Sequence, residues 1–148
     1  MRIIYLTLAA LTLTTAPTIA LADIAADKHT ASRVLLEKLG GGDFGHLNEI
    51  YGPGFVVHSG ERSFDLDYDN ASTRELRKAV PDMKVIVLRV LGDGELVAVH
   101  WSASGTNSVA AAGLPGNGKQ GSVNGMTMFR FQKARIVEEW TVSSIRWN

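Results

Sequence analysis

The chain has 148 residues, its 15 Lys plus Arg are balanced by 15 Asp plus Glu, and it contains no cysteine. That length is enough for one domain around a single core. A neutral chain with no basic run has no electrostatic basis for holding nucleic acid or an anionic membrane surface, and the missing cysteine excludes disulfides, thiol catalysis and cysteine-ligated metal.

Taken in chain order, the first feature is a targeting segment. Arg2 precedes an apolar stretch over 3–13, and Ala20-Leu21-Ala22 is a small-x-small cleavage pattern. The expectation is a signal peptide over 1–22, removed before Asp23. A single domain over 23–148 would then be periplasmic or secreted, with no stable membrane insertion after processing. Residues 3–22 are long enough to span a bilayer, but their threonines and Pro17 make a poor span.

Residues 23–39 predict a helix whose apolar face carries Ala31, Val34, Leu35 and Leu39. Gly40-Gly41-Gly42 ends it, and Asp43 is placed to cap a second helix that turns Phe44, Leu47, Ile50 and Tyr51 inward. Gly52-Pro53-Gly54 stops that helix, and Phe55-Val56-Val57-His58 reads as a short strand. Residues 59–71 read as a polar loop, and Ser72-Thr73-Arg74-Glu75 as the capping box of a third helix. Pro81 closes that helix near Val80.

Four strands follow, over 83–91, 95–105, 122–132 and 134–147. The connection over 107–121, rich in Gly, Ala and Asn, is a flap or a wide hairpin loop. Helices first and antiparallel strands afterwards predict an α+β fold, a curved sheet wrapped over about three N-terminal helices.

Five pieces in order resemble one family: Val57-His58 at a strand end, Pro81-Asp82 before a strand, the aromatic strand through Trp101 to Gly105-Thr106, Phe129-Arg130-Phe131, and Ile136-Val137-Glu138-Glu139-Trp140. Together they resemble the SnoaL-like polyketide cyclases and ester cyclases of the nuclear transport factor 2-like superfamily. The resemblance implies a cone-shaped antiparallel sheet with a small-molecule pocket between sheet and helices. It also implies a cavity-lining histidine at His58 and an acid/base aspartate four residues beyond Trp140. That last position is Ser144 here, and a serine without an adjacent base cannot shuttle a proton near neutral pH.

The residues left as candidates follow from strand alternation. His58 would act as acid or base in the pocket; the competing reading is a structural histidine bonded to the backbone or to Tyr51. Ile136, Glu138, Trp140, Val142 and Ser144 share a face by simple alternation. Glu138 among apolar neighbours is therefore the second acid/base candidate, or else a structural carboxylate paired with Arg130 or Arg89. Tyr51, Phe55, Trp101, Trp140 and Ser144 would contact the substrate. His100, Ser102 and Ser104 suit the outer sheet face and a homodimer contact.

Asp65, Asp67 and Asp69 mimic the start of a calcium loop, but its closing glutamate falls on Leu76. They read as a solvated acidic loop, or as one aspartate overhanging the pocket mouth. No metal and no cofactor is expected. Two functions remain: an exported acid/base enzyme of lyase, isomerase or cyclase type acting on a small apolar ligand, and a non-catalytic module of the same fold that binds such a ligand or a partner.

Overall fold

A computed structural model describes residues 23–148; the expected signal peptide lies outside the described residues. Helix α1 (Ile24–Arg33) begins where Asp23 accepts hydrogen bonds from the amides of Ala25 and Ala26, satisfying two of the donors that a helix start leaves open. It runs directly into a π-helical segment, Val34–Gly41, closed by Gly42 at φ 71°, a left-handed geometry suited to glycine. The apolar face of this pair packs on the sheet as expected. Lys38 is buried on that same face, beside Val34 and Leu35.

The second helix is much shorter than the sequence predicts. It is the single turn α2 (Leu47–Ile50), because the Asp43 carboxylate binds the Gly45 amide in a local turn instead of capping a helix. Tyr51 therefore belongs to strand β1 (Tyr51–Ser59), which runs through Gly52-Pro53-Gly54. The expected polar loop over 59–71 is a hairpin strand β2 (Arg62–Phe64) followed by helix α3 (Leu66–Ala79). Asp65 caps α3 by accepting from the Tyr68 amide, so the Ser72 capping box lies in the middle of that helix. The acidic triplet is thus a helix start, where carboxylates favour the positive end of the dipole.

Strands β3 (Lys84–Asp93) and β4 (Leu96–Thr106) form the predicted hairpin. The 107–121 connection is built around Asn107, which is fully buried. The Asn107 amide donates to the Lys119 carbonyl, its side-chain oxygen accepts from the Gly116 amide, and the two-residue strands β5 (Ala110–Ala111) and β6 (Leu114–Pro115) pair within the loop. Strands β7 (Gln120–Gln132) and β8 (Arg135–Trp147) complete the sheet.

The main sheet runs β2-β1-β8-β7-β4-β3. It is antiparallel except that β1 lies parallel to β8, so it is mixed and not wholly antiparallel as expected. Helices cover one face, giving an α+β architecture with its core between helices and sheet. Val97, Val99, Phe129, Phe131 and Ile136 are fully buried there. Among the described residues no helix is long and apolar enough to cross a membrane.

Two slips in register decide which side chains reach that core. Between β3 and β4 the register shifts after Val87, so Val85, Val87 and Val90 pack on the core while Ile86, Leu88 and Leu91 are exposed. Between β7 and β8, Arg130 pairs with Glu138 but Phe131 pairs with Ile136. Val137 is the extra residue, a β-bulge that flips the face of everything after it. Gly52 on β1 accommodates it: a methyl group there would meet Val137 Cγ1 at 3.0 Å.

Candidate functional site

The cavity between helices and sheet has two adjoining lobes, each about 360 Å³, that share Leu39, Leu76, Trp101 and Ser143. Their size suits a small molecule. One lobe is apolar, walled by Val80, Met83, Leu114, Val123, Ile145 and Trp147. Two glycines make room for its indoles. A methyl group at Gly125 would overlap the Trp101 ring, and one at Gly121 the Trp147 ring.

The other lobe is polar. Lys38, Asp69, Thr127, Glu139 and Thr141 line it, with Val57 and Phe64 among its apolar walls. Lys38 forms an ion pair with Asp69 and donates to the Tyr51 hydroxyl at 3.2 Å. Its charge is almost fully enclosed, and only a close counter-charge makes such burial tolerable. Glu139 follows the bulge and faces inward, paired in register with Val57 and Phe129. Burial, then the Asp69 carboxylate, push its pKa up to about 7, against the Lys38 ammonium and the Thr141 hydroxyl, which favour ionisation. Glu139 keeps some accessible surface, and that surface opens on the cavity.

The sequence-expected acid and base are brought together, but on the opposite face. His58 Nε2 lies 2.7 Å from Glu138 Oε1, and Arg130 Nε donates to Glu138 Oε2 at 2.7 Å. The His58 ring stacks on Trp140 at 5.1 Å, and Ser63 Oγ lies 3.0 Å from its Nδ1. His58 borders the polar lobe, yet strand alternation and its register with Trp140 turn the ring outward. The hydrogen bond from His58, then that from Arg130, hold the Glu138 carboxyl below its usual range. It is paired with Arg130 on this face.

The expected substrate contacts divide likewise. Trp101 lines both lobes. Tyr51 and Phe55 pack edge to face at 4.6 Å in the core, and burial, then Glu139 and Asp69, raise the Tyr51 hydroxyl well above its usual pKa. Trp140 stands outside on His58. Ser144 pairs with Asn124 on the outer face, beside His100. His100 lies on that face as expected, 3.0 Å from Asn124 Oδ1. Asp82 is a loop clamp, accepting from the Thr106 amide and hydroxyl at 2.7 and 2.8 Å.

Sequence reasoning missed Lys38, Thr127, Glu139 and Thr141, and held Asp69 only within the alternative that one aspartate of the 65–69 run overhangs the pocket mouth; Asp69 lines the polar lobe. The legible signal for Lys38 was its spacing from Val34 and Leu35 on the apolar helix face.

A mixed sheet of this order over N-terminal helices, with a two-lobed cavity between, defines an α+β fold whose sheet and helices enclose a cavity. The family model for SnoaL-like polyketide cyclase matches residues 29–144, and the chain belongs to that family. Similar solved structures include IdmH, a proposed polyketide cyclase from Streptomyces antibioticus, with 28% identity, 80% of this chain and 91% of that chain covered, and a TM-score of 0.68. AclR, a proposed hydroxylase from Streptomyces galilaeus, is 19% identical with a TM-score of 0.75, over 84% of this chain and 82% of that one. A proposed SnoaL-like polyketide cyclase from Jannaschia sp. is 21% identical with a TM-score of 0.74, covering 83% of this chain and 89% of that one. Among curated protein sequences none matches the chain.

The raised Glu139 value links pH to stability. A carboxyl whose folded value lies above its unfolded value adds stability in full below the unfolded value, and that stability is lost as pH rises through the folded one. Here the window runs from about 4.5 to about 7. Glu139→Gln should raise the melting midpoint at pH 8, by roughly 3 °C or more, and change it little at pH 5. Thermal denaturation at both pH values checks this, and an equal change at both would contradict it.

Proposed function

We propose that the chain performs cyclase- or isomerase-type acid/base chemistry on a small, largely apolar carbonyl compound. The observation that carries this reading is Glu139: a cavity-facing carboxyl poised near neutral pH beside an enclosed lysine. In the proposed step the Glu139 carboxylate takes a proton from a carbon next to the substrate carbonyl. The electron pair moves onto the carbonyl oxygen as an enolate, in a lobe that holds the Lys38 ammonium. The carboxylic acid so formed then returns the proton to the rearranged or ring-closed product. Membership in the SnoaL-like family and the likeness to IdmH support cyclase-type chemistry.

Ser144 favours a second reading, a module that binds the same ligand without turnover. The resemblance assigns an aspartate to that position, and here it is a serine on the outer face. Turnover and binding measured on one panel of cyclic and polyketide-like ketones separate the two. For an enzyme, Glu139→Gln should lower turnover on the order of 10²-fold or more while ligand still binds, and His58→Gln should leave turnover within a few-fold. Activity that survives Glu139→Gln, or falls only with His58→Gln, would contradict the assignment to Glu139; binding with no turnover in any form would establish the second reading.

Export and self-association belong to the same proposal. The outer sheet face exposes Ile86, Leu91, Met126 and Val142, the last at 71% of its surface, and apolar side chains left exposed on one sheet face support a homodimer through that face. An exported product should begin at Asp23 on N-terminal sequencing and sediment as a dimer at micromolar concentration; an intact Met1 or a clean monomer would count against the corresponding part.

A further inference from the structure

A line of hydrogen bonds crosses the inner sheet face from the shared wall of the two lobes to Glu139. The Trp101 indole N–H donates to Thr127 Oγ1 at 3.0 Å. Thr127 Oγ1 lies 2.8 Å from Thr141 Oγ1, and the Thr141 hydroxyl lies 3.2 Å from Glu139 Oε1. The three strands hold this line in register, since Thr127 pairs with Val99 on one side and with Thr141 on the other. Thr127 is buried, so its hydroxyl has no ready alternative in water.

The donor inventory fixes the direction. An indole N–H only donates, and an ionised carboxylate only accepts. The Thr127 hydroxyl therefore accepts from Trp101 and donates to Thr141, which in turn donates to Glu139. With Glu139 ionised, every hydrogen in the line has an acceptor. A proton on Oε1 turns the last bond round and strands one hydroxyl hydrogen of the line. A proton on Oε2 leaves Oε1 a weaker, neutral acceptor. Both changes alter the polarisation of each bond back to the indole.

We propose that Trp101, Thr127 and Thr141 are positioning residues that orient the Glu139 carboxylate and connect its ionisation to the wall on which a ligand rests. The inference rests on the reading of Glu139 as the proton carrier. It adds that the apolar lobe, through Trp101, senses and biases that proton. A ligand packed against Trp101 would perturb the line at its donor end. Asp69 on α3, Lys38 on the π-helical segment and Tyr51 on β1 face Glu139 from other elements, and His58 on β1 and Arg62 on β2 border the same lobe. All five remain in the variants below, so a change can be assigned to the hydroxyls.

The test uses the indole N–H resonance of Trp101, assigned among the three tryptophans by loss in Trp101→Phe, followed from pH 5 to 9. In the wild type it should titrate with one midpoint, and Glu139→Gln should abolish that titration. Thr141→Val and Thr127→Val should each abolish it as well, and in Thr141→Val the Glu139 midpoint, followed on its own carbon-13 carboxyl resonance, should shift upward by about one pH unit, because a hydrogen bond to the charged form is lost. Thr127→Ser and Thr141→Ser keep the hydroxyl and should preserve the titration, and they stand in if a valine variant fails to fold. A pH-independent indole resonance in the wild type overturns the proposal, as does an unchanged titration in both valine variants or its loss in both serine variants. None of these readings depends on turnover, so failure of the line and failure of Glu139 as a catalyst remain distinguishable.

Discussion

One extra residue on strand β8 sets the chemistry of both faces of the sheet. Val137 has no partner on β7, and every side chain beyond it points the opposite way from where unbroken alternation would send it. Ile136 before the bulge and Glu139, Thr141 and Ser143 after it all face the core or the cavity. Glu138, Trp140 and Ser144 are turned to the outer face. A β-strand repeats every two residues, so a single insertion exchanges the two sets completely. Gly52 on the parallel neighbour β1 leaves space for the bulge, coupling the irregular start of that strand to the phase of the last one.

The exchange places adjacent glutamates in opposite environments. Glu138 meets two hydrogen-bond donors, His58 and Arg130, and is held ionised. Glu139 meets an apolar wall, the Asp69 carboxylate and an already paired lysine, and its proton affinity rises. Two titratable groups pushed apart in this way suit different tasks, and on the proposed reading Glu138 is the structural ion and Glu139 the proton carrier. Lys38 connects the second to the fold: it is bound to Asp69 on α3 and to Tyr51 on β1, so helices and sheet meet through charges at the cavity. Breaking a buried pair of this kind leaves an uncompensated charge, which costs about 3–5 kcal/mol. The polar lobe is therefore a structural junction as well as a site.

The fold was largely legible in the sequence because strong periodic signals carry it. The β3–β4 hairpin, the long β7 and β8 strands and the halt of α3 before Pro81 all follow from alternation and turn chemistry. What was not legible involved local competition. Asp43 bonds its own turn, which leaves α2 a single turn, and Asp65 caps α3 seven residues before the capping box at Ser72. The candidate site was harder to read, because a bulge has no side-chain signature in Ile136-Val137-Glu138-Glu139-Trp140. Alternation chose Glu138 for the cavity where the register puts Glu139. Trp101 lies on the cavity wall where plain alternation puts it, because no register shift separates β4 from β7. Lys38 and Asp69 come together only through the packing of two helices, which spacing along the chain does not encode.

Burial and Asp69, acting against Lys38, hold the inward glutamate near half-protonation at neutral pH. Carbon-13 labelling of the glutamate side chains, with the Glu139 carboxyl resonance assigned by its loss in Glu139→Gln, measures this directly in the unmodified protein. A titration midpoint near 7 is the result expected. A midpoint in the ordinary carboxylate range, near 4.5, would show that Glu139 is solvated or otherwise neutralised, and would contradict the account.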